Sequence, residues 1–295
     1  MHEKASAATS DAILITGCSS GIGRATAERL AGSGHTVYAT ARRPETIADL
    51  QEAGARTLAL DVTDEQSMRA AVGAIEAEHG PIFALVNNAG YSQSGAVESV
   101  PLDLVRRQFE TNVFGALRLA QLVLPGMRRE RRGRIVNVSS MGGRLVFPGG
   151  GIYHATKYAL EALSDAMRFE LKGFGIAVVL IEPGLIHTSF GDAAVGALEE
   201  AGSDPGGQAG DGSPYAEFNA AVAQATKKVY ESGPMSKLGA GPGAVAGAIE
   251  KAITSRRPRP RYVITISARL LLAQRALAPD RLWDAMMRSQ FPQPH

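Results

Sequence analysis

Residues 12–23 read AILITGCSSGIG, and residues 24–34 continue as RATAERLAGSG. The apolar run fits a buried strand, the glycine-rich segment a tight turn, and the continuation a helix. That order forms the opening of a Rossmann unit. Gly17 permits the turn, Gly21 lets a backbone approach a pyrophosphate, and Gly23 lets the helix pack closely. The helix start offers free N–H groups and the positive end of its dipole. Gly17, Ser19, Ser20, Gly21, Ile22 and Gly23 are therefore the expected phosphate cradle of a dinucleotide. A purely structural turn also uses glycines, and only the position between strand and helix separates the two readings.

Working outward, the same alternation repeats. TVYATA (36–41), TLALDV (57–62), FALVNNAG (83–90), RIVNVSS (134–140), IAVVLIEPG (176–184) and RYVIT (261–265) read as further strands. Helices are expected over about 44–54, from an Asp64 cap to His79, over 102–129 and over 152–173. Alternating strands and helices imply a parallel sheet covered on both faces. The expected fold is an α/β, three-layer Rossmann fold: a doubly wound parallel sheet of about seven strands, plus a C-terminal helical extension. Residues 202–214, GSDPGGQAGDGSP, read as a loop. Residues 267–291 read as one or two short helices split by Pro279. Leu270, Leu271, Leu277, Leu282, Trp283 and Met286 are their expected anchors.

The 295 residues are read as a single domain. A dinucleotide-binding and catalytic core covers about 11–190, a substrate lid about 190–235, and the helical extension about 266–295. The 31 basic side chains nearly balance the 29 acidic ones, which argues against a nucleic-acid partner. RRERRGR (128–134) and RRPRPR (256–261) read as solvated helix ends or loops. Cys18 is the one cysteine, so no internal disulfide forms, and it reads as a small residue filling the turn. No cluster has metal-ligand spacing, so no metal is expected. The first residues lack a signal-peptide core, and Tyr262 to Ala278 carries two arginines and falls short of the ~20 residues of a membrane span. These features imply a cytoplasmic protein.

The second strand selects the dinucleotide. It ends Thr40–Ala41–Arg42–Arg43, where an NAD-preferring site usually places an acid. Arg42 can bind a 2′-phosphate bidentately, so NADP(H) is expected over NAD(H). Asp61 and Val62 are placed to hold the adenine ring, with a capping role for Asp61 as the plainer reading. In SSMGGRLVFPGGGIYHATKYA (139–159), Tyr153 and Lys157 lie four apart and share a helix face. Either Ser139 or Ser140 can supply a hydroxyl from the strand end.

The loop 16–23, Asn87–Asn88–Ala89–Gly90, Asn112, Ser140, Tyr153-x-x-x-Lys157 and Pro183–Gly184 resemble the classical short-chain dehydrogenase/reductases in order and spacing. GCSSGIG, YATARRP and the extended tail look most like the NADP-dependent branch of hydroxysteroid and retinol dehydrogenases. The resemblance implies that Tyr153 is the general acid or base. Lys157 would supply positive charge and hold the ribose. Ser140, thirteen residues before the tyrosine, would position the substrate oxygen. Asn112 would support a proton-relaying water. It also implies that Asn88, Ala89, Gly90, Pro183 and Gly184 line the cofactor cleft. Asn87 would stabilise the sheet, and Thr188 would contact the nicotinamide carboxamide. His154 projects to another helix face. A free phenol titrates near ~10, so work near neutrality requires a shift of a few units.

The expected reaction interconverts an alcohol and its ketone or aldehyde. The substrate is expected to be lipophilic (a steroid, a retinoid or another fatty carbonyl), because Leu185, Ile186, Phe190, Ala194, Val195 and Leu198 are available to roof the cleft. A non-catalytic NADP-binding regulator on the same fold is the alternative from another class. An epimerase or dehydratase on a nucleotide sugar is a third. The family resemblance also implies a homodimer or homotetramer through the helices at 102–129 and 152–173. Leu160, Leu163 and Met167 belong either to that interface or to the core.

Overall fold

The computed structural model describes residues 10–188, 196, 214–231, 238–291 and 293. Seven parallel strands form one sheet: β1 (Ile13–Ile15), β2 (Val37–Ala41), β3 (Arg56–Ala59), β4 (Ala84–Asn87), β5 (Gly133–Val138), β6 (Ile176–Glu182) and β7 (Arg261–Val263). Their order is β3-β2-β1-β4-β5-β6-β7. Strand β1 pairs with β2 on one side (Ile13↔Val37) and β4 on the other (Ile13↔Ala84). The order therefore reverses at β1, and loops after β1 and β4 diverge there to leave a crevice at their carboxyl ends.

Helices cover both faces because successive strand side chains alternate. Ile13 and Ile15 pack against Ala27 and Leu30 of α1 (Gly21–Gly32) and against Val245, Ile249 and Ile253 of a later helix, α7 (Pro242–Thr254). Leu14 faces the opposite layer of α2 (Glu65–His79), α4 (Gly115–Glu130) and α5 (Gly151–Leu171). Each fully buried aliphatic side chain of this kind contributes roughly 1.5–3 kcal/mol. Asp64 caps α2 as expected, its carboxylate accepting from the N–H groups of Gln66 and Ser67. Leu160 and Met167 are buried in this intramolecular core.

Three expectations change. The helix expected over 44–54 is 3₁₀ in type over Pro44–Gln51 and is kinked at Ile47, whose side chain is buried with that of Leu50. The helix expected over 102–129 runs as α3 (Leu102–Phe109), a π-helical turn over Glu110–Phe114, and α4. The chain leaves α4 through Arg131 in the left-handed conformation, without a glycine at that place. The C-terminal extension is α8 (Ile266–Leu277) and α9 (Asp280–Gln290), preceded in the chain by α6 (Ala216–Glu231) and α7. Its buried anchors are Leu272, Trp283 and Met287, whereas Leu270, Leu277 and Leu282 are exposed. These helices seat on Leu145 and Phe147 in the loop after β5.

Leu185 and Ile186 are buried, and Ile186 joins the sheet core beside Val245, so it does not roof a cleft. Phe190, Ala194, Val195, Leu198 and all of the 202–214 loop but its last residue lie outside the described residues.

Candidate active site

The turn after β1 is held in shape by a lattice of backbone contacts. Gly17 and Gly21 have φ of 72° and 56°, which other residues resist. Thr16 Oγ1 accepts from the backbone N–H of Asn88 and of Ala89, both at 3.0 Å. Asn88 Nδ2 in turn donates to the carbonyls of Thr16 (2.8 Å) and Gly17 (3.1 Å). The Asn88 amide therefore braces the cradle and does not project into it. A methyl on Gly23 would overlap the Gly17 carbonyl and that same amide, so the close approach is of helix to turn. Ser20 is the N-cap of α1 but makes no side-chain capping bond, and the first turn carries no acid. An uncapped helix start flanked by the exposed Ser19 and Ser20, with half-buried Ile22 behind, fits an anionic group.

The rest of the cradle surrounds this point. Thr188 lies over Gly21, its Cγ2 3.4 Å from where a methyl there would sit. Arg42 is exposed at the end of β2. Asp61 Oδ1 accepts from the backbone N–H and the hydroxyl of Thr63, so it shapes the turn after β3, while the capping of α2 falls to Asp64. Val62 is buried, and a methyl on Gly115 of α4 would collide with its carbonyl. The Pro183 carbonyl accepts from Met141 N–H at 2.8 Å, tying the ends of β5 and β6 together. Gly184 packs against Thr265 and Ala268 at the start of α8. Cys18 is fully buried, and burial pushes its thiol up to about 12, which makes it inert.

The helix α5 carries Tyr153 and Lys157 on one face. Lys157 is buried, its Nζ donates to the Val138 carbonyl at 2.8 Å, and it lies 5.7 Å from the Tyr153 ring centroid. Burial pulls the ammonium down to about 8, with Glu161 acting in the opposite direction. The Ser140 hydroxyl accepts from Gly142 N–H at 3.0 Å, which leaves its own proton to donate. Asn112 sits in the π-helical turn, a device that commonly re-aims a residue at a site. Its Nδ2 donates to the Tyr91 carbonyl (2.9 Å) and to Thr156 Oγ1 (3.1 Å). Gly90 lies between Asn112 and Lys157: a methyl there would sit 3.1 Å from Asn112 Oδ1 and 3.8 Å from Lys157 Nζ. Asn87 serves the sheet, donating to Asn137 Oδ1 and the Ala116 carbonyl.

His154 fastens the intervening loop. Its Nδ1 is 2.9 Å from the Gly142 carbonyl and its Nε2 accepts from Phe147 N–H at 3.2 Å, partners that assign the neutral Nδ1–H tautomer. Burial holds its pKa down. Ser139 is buried beside Gly143, its N–H donates to the Ile181 carbonyl at 2.8 Å, and its hydroxyl faces the Glu161 carboxyl.

A buried charge network behind Lys157 was not legible in the sequence. Arg261 Nη2 bonds Glu161 Oε2 (3.0 Å) and Asp165 Oδ1 (2.7 Å). Arg261 Nε lies 2.9 Å from Oε1 of Glu182, whose other oxygen meets Arg144 at 3.1 Å. Glu161 and Arg261 are about a hundred positions apart in the chain, so no local spacing announces the pair. Among the described residues, no group of three or more His, Cys, Asp or Glu side chains could hold a metal ion. No helix among them is long and apolar enough to cross a membrane.

Tyr153 and Lys157 thus share one face of α5, Lys157 is tied to the strand that ends just before Ser140, and Gly90 beside Lys157 follows Ala89, which packs against Gly17 of the turn. Residues 11–199 match the short chain dehydrogenase family. The chain is 35% identical over 283 residues to an NADPH-dependent 3-dehydrocapnine reductase of Ornithobacterium rhinotracheale, covering 92% of this chain and 94% of that one. It is 44% identical over 181 residues to a 3-ketodihydrosphingosine reductase of Bacteroides thetaiotaomicron, covering 61% and 65% of the two. Among solved structures, a short-chain dehydrogenase from Streptomyces avermitilis aligns with a TM-score of 0.75 at 33% identity, covering 95% and 96%. A serine dehydrogenase complexed with NADP+ aligns at 0.72 and 26%, covering 86% and 94%. A Burkholderia phymatum relative in complex with NAD aligns at 0.73 and 25%, covering 97% of each chain.

Proposed function

Because this chain belongs to the short-chain dehydrogenase family and is an NAD(P)-dependent oxidoreductase, we propose that it interconverts an alcohol and its ketone or aldehyde on a lipophilic substrate, using NADP(H). The observation that carries this reading is the anchoring of Lys157. Its ammonium is fixed to the carbonyl of Val138, two residues before Ser140, with the Tyr153 ring above it.

The cradle fits a dinucleotide on its own chemistry, since the start of α1 is uncapped and a Cβ at Gly17 or Gly23 would be excluded. The N–H groups of Gly21, Ile22 and Gly23 would hold the pyrophosphate, Arg42 the 2′-phosphate, and Asp61 and Val62 the adenine side. Ala89, Gly90, Pro183, Gly184 and Thr188 would wall the nicotinamide end. When bound, the nicotinamide supplies or takes up the hydride.

The remaining chemistry belongs to the side chains. Ser140 donates its free proton to the substrate oxygen and fixes that oxygen's distance from Tyr153. In reduction Tyr153 gives its phenolic proton to the oxygen, and in oxidation it takes one. The Lys157 charge favours the phenolate, which lowers the barrier to that transfer. Asn112 and Thr156 hold the wall opposite, where a water can return a proton toward Lys157. NADP(H) is favoured by the absence of an acid at the end of β2 and by the NADPH dependence in the name of one relative. A lipophilic substrate is favoured by the two relatives named for reducing a 3-keto and a 3-dehydro compound.

The test follows NADPH absorbance with a series of ketones from acetone to long-chain 3-ketones and steroid ketones. Turnover that rises with substrate chain length supports the reading. Turnover confined to small polar carbonyls overturns the lipophilic assignment, and turnover with none overturns the reaction.

A further inference from the structure

The two arginine-rich stretches, 128–134 and 256–261, are far apart in the chain, yet the fold brings them to one place. They meet at the amino-terminal edge of the sheet, opposite the crevice where the candidate active site lies. Arg132 and Arg134 from the start of β5, Arg256 after α7, and half-buried His35 line an open cavity of about 350 Å³ with Phe83 and Asp11. The Arg132 guanidinium stacks 4.0 Å from the Phe83 ring centroid, and that of Arg134 lies 5.7 Å from it.

The charges here do not close. Arg132 pairs with Asp11 at 2.5 Å. Arg134 donates to the carbonyls of Gly133 and Ser255, and its Nε is buried without a partner. Arg134 makes no ion pair among the described residues, and the Ser255 carbonyl that it meets follows the carboxyl end of α7. Burial and the neighbouring Arg132 both disfavour its protonated form. Arg256 is exposed and without an ion pair among the described residues. Among the described residues, three guanidiniums thus line the cavity with one carboxylate, that of Asp11. The contrast with Arg261 is instructive: that guanidinium, similarly embedded, meets Glu161, Asp165 and Glu182.

Solvated helix ends account for exposed arginines such as Arg128, whereas Arg132 and Arg134 flank the Phe83 ring and line one open cavity together with Arg256. Guanidinium forks match the oxygens of a phosphate, and the cavity is at the lower end of the roughly 300–1,000 Å³ of small-ligand sites. We infer that this edge of the sheet is a second anion site, in which Arg132, Arg134 and Arg256 bind a phosphate group.

The test uses the full chain saturated with NADP, so that the cofactor cradle is already filled. Pyrophosphate is titrated calorimetrically into wild type, Arg256→Ala, Arg134→Gln and, as a charge control, Arg128→Ala. The expected result is a single site whose Kd rises at least tenfold in Arg256→Ala and Arg134→Gln but less than twofold in Arg128→Ala, with carbonyl reduction unchanged in all three. Arg256→Ala keeps the test valid if Arg134→Gln fails to fold. Equal weakening by all three substitutions, or no saturable binding by wild type, overturns the site. Flotation with phosphatidic acid vesicles identifies the source. Capture that requires Arg256 assigns a lipid headgroup, and pyrophosphate binding without capture assigns a free phosphorylated molecule.

Discussion

Lys157 illustrates the conflict between stability and chemistry at a single residue. Its ordinary value of 10.5 falls to about 8 in the fold because the ammonium is buried. Between those values the unfolded chain binds more protons than the native one, so stability rises with pH across that window. Below pH 8 the buried charge opposes folding by about 3 kcal/mol, on the order of 1.4 kcal/mol for each pH unit between the two values. Replacing it by Met removes this term, so the unfolding free energy of Lys157→Met relative to wild type should be higher at pH 7 than at pH 10. Urea denaturation of the cofactor-free protein at the two pH values measures it, and a pH-independent difference would refute the buried-cation account. Arg42 gives a second prediction. Arg42→Ala should raise Kd for NADPH about tenfold or more, the loss of ~1.4 kcal/mol or more expected for a charge-assisted contact, while NADH binding stays constant. Fluorescence titration reads both values.

Elements position these residues through contacts that no local pattern announces. Arg261 opens β7 and joins α5, through Glu161 and Asp165, to Glu182 at the end of β6. Removing it leaves the buried Glu161 without its guanidinium and Glu182 with Arg144 alone, so Arg261→Met should destabilise the fold by about 3–5 kcal/mol, read as a fall in the urea midpoint. Gly115→Ala drives a methyl into the Val62 carbonyl and should cost about 1–3 kcal/mol by the same measurement. Tyr153 and Lys157 were visible because a helix repeats every three to four residues, and the glycines of the first turn because their backbone needs are local. Arg261, Glu161 and Glu182 were invisible because long-range pairing leaves no periodic trace. The π-helical turn at Asn112 is hidden for a related reason, since its flanking residues keep ordinary helical spacing. That the helix at 44–51 is 3₁₀ in type is not legible, because so short an apolar pattern fits both helical periods.

At the scale of the whole molecule, the strand reversal at β1 opens the crevice, and the C-terminal helices close on the loop that carries Ser140. Alternating strands and helices made the parallel sheet legible, but not the order of its strands. The tail was legible as helices but not in its facing, because Leu270 and Leu282 look like anchors by hydrophobicity alone and are exposed. A chain ending at Ile264 uncovers Leu145 and Phe147 and loosens that loop. It should keep NADPH binding within a few-fold yet lose carbonyl reduction by about a hundredfold, as misplacement by ~1 Å can cause. The exposed Phe169 on α5 and Phe114 before α4 support pairing of two copies through those helices. Light scattering should therefore give a multiple of the 31.0 kDa chain mass. The central claim, that Tyr153 moves the proton in an NADP(H)-dependent carbonyl reduction, is tested most directly by Tyr153→Phe. The account predicts wild-type Kd for NADPH and a loss of at least a thousandfold in single-turnover reduction of a ketone the wild type accepts. Reduction within tenfold of wild type, at unchanged NADPH affinity, would contradict it.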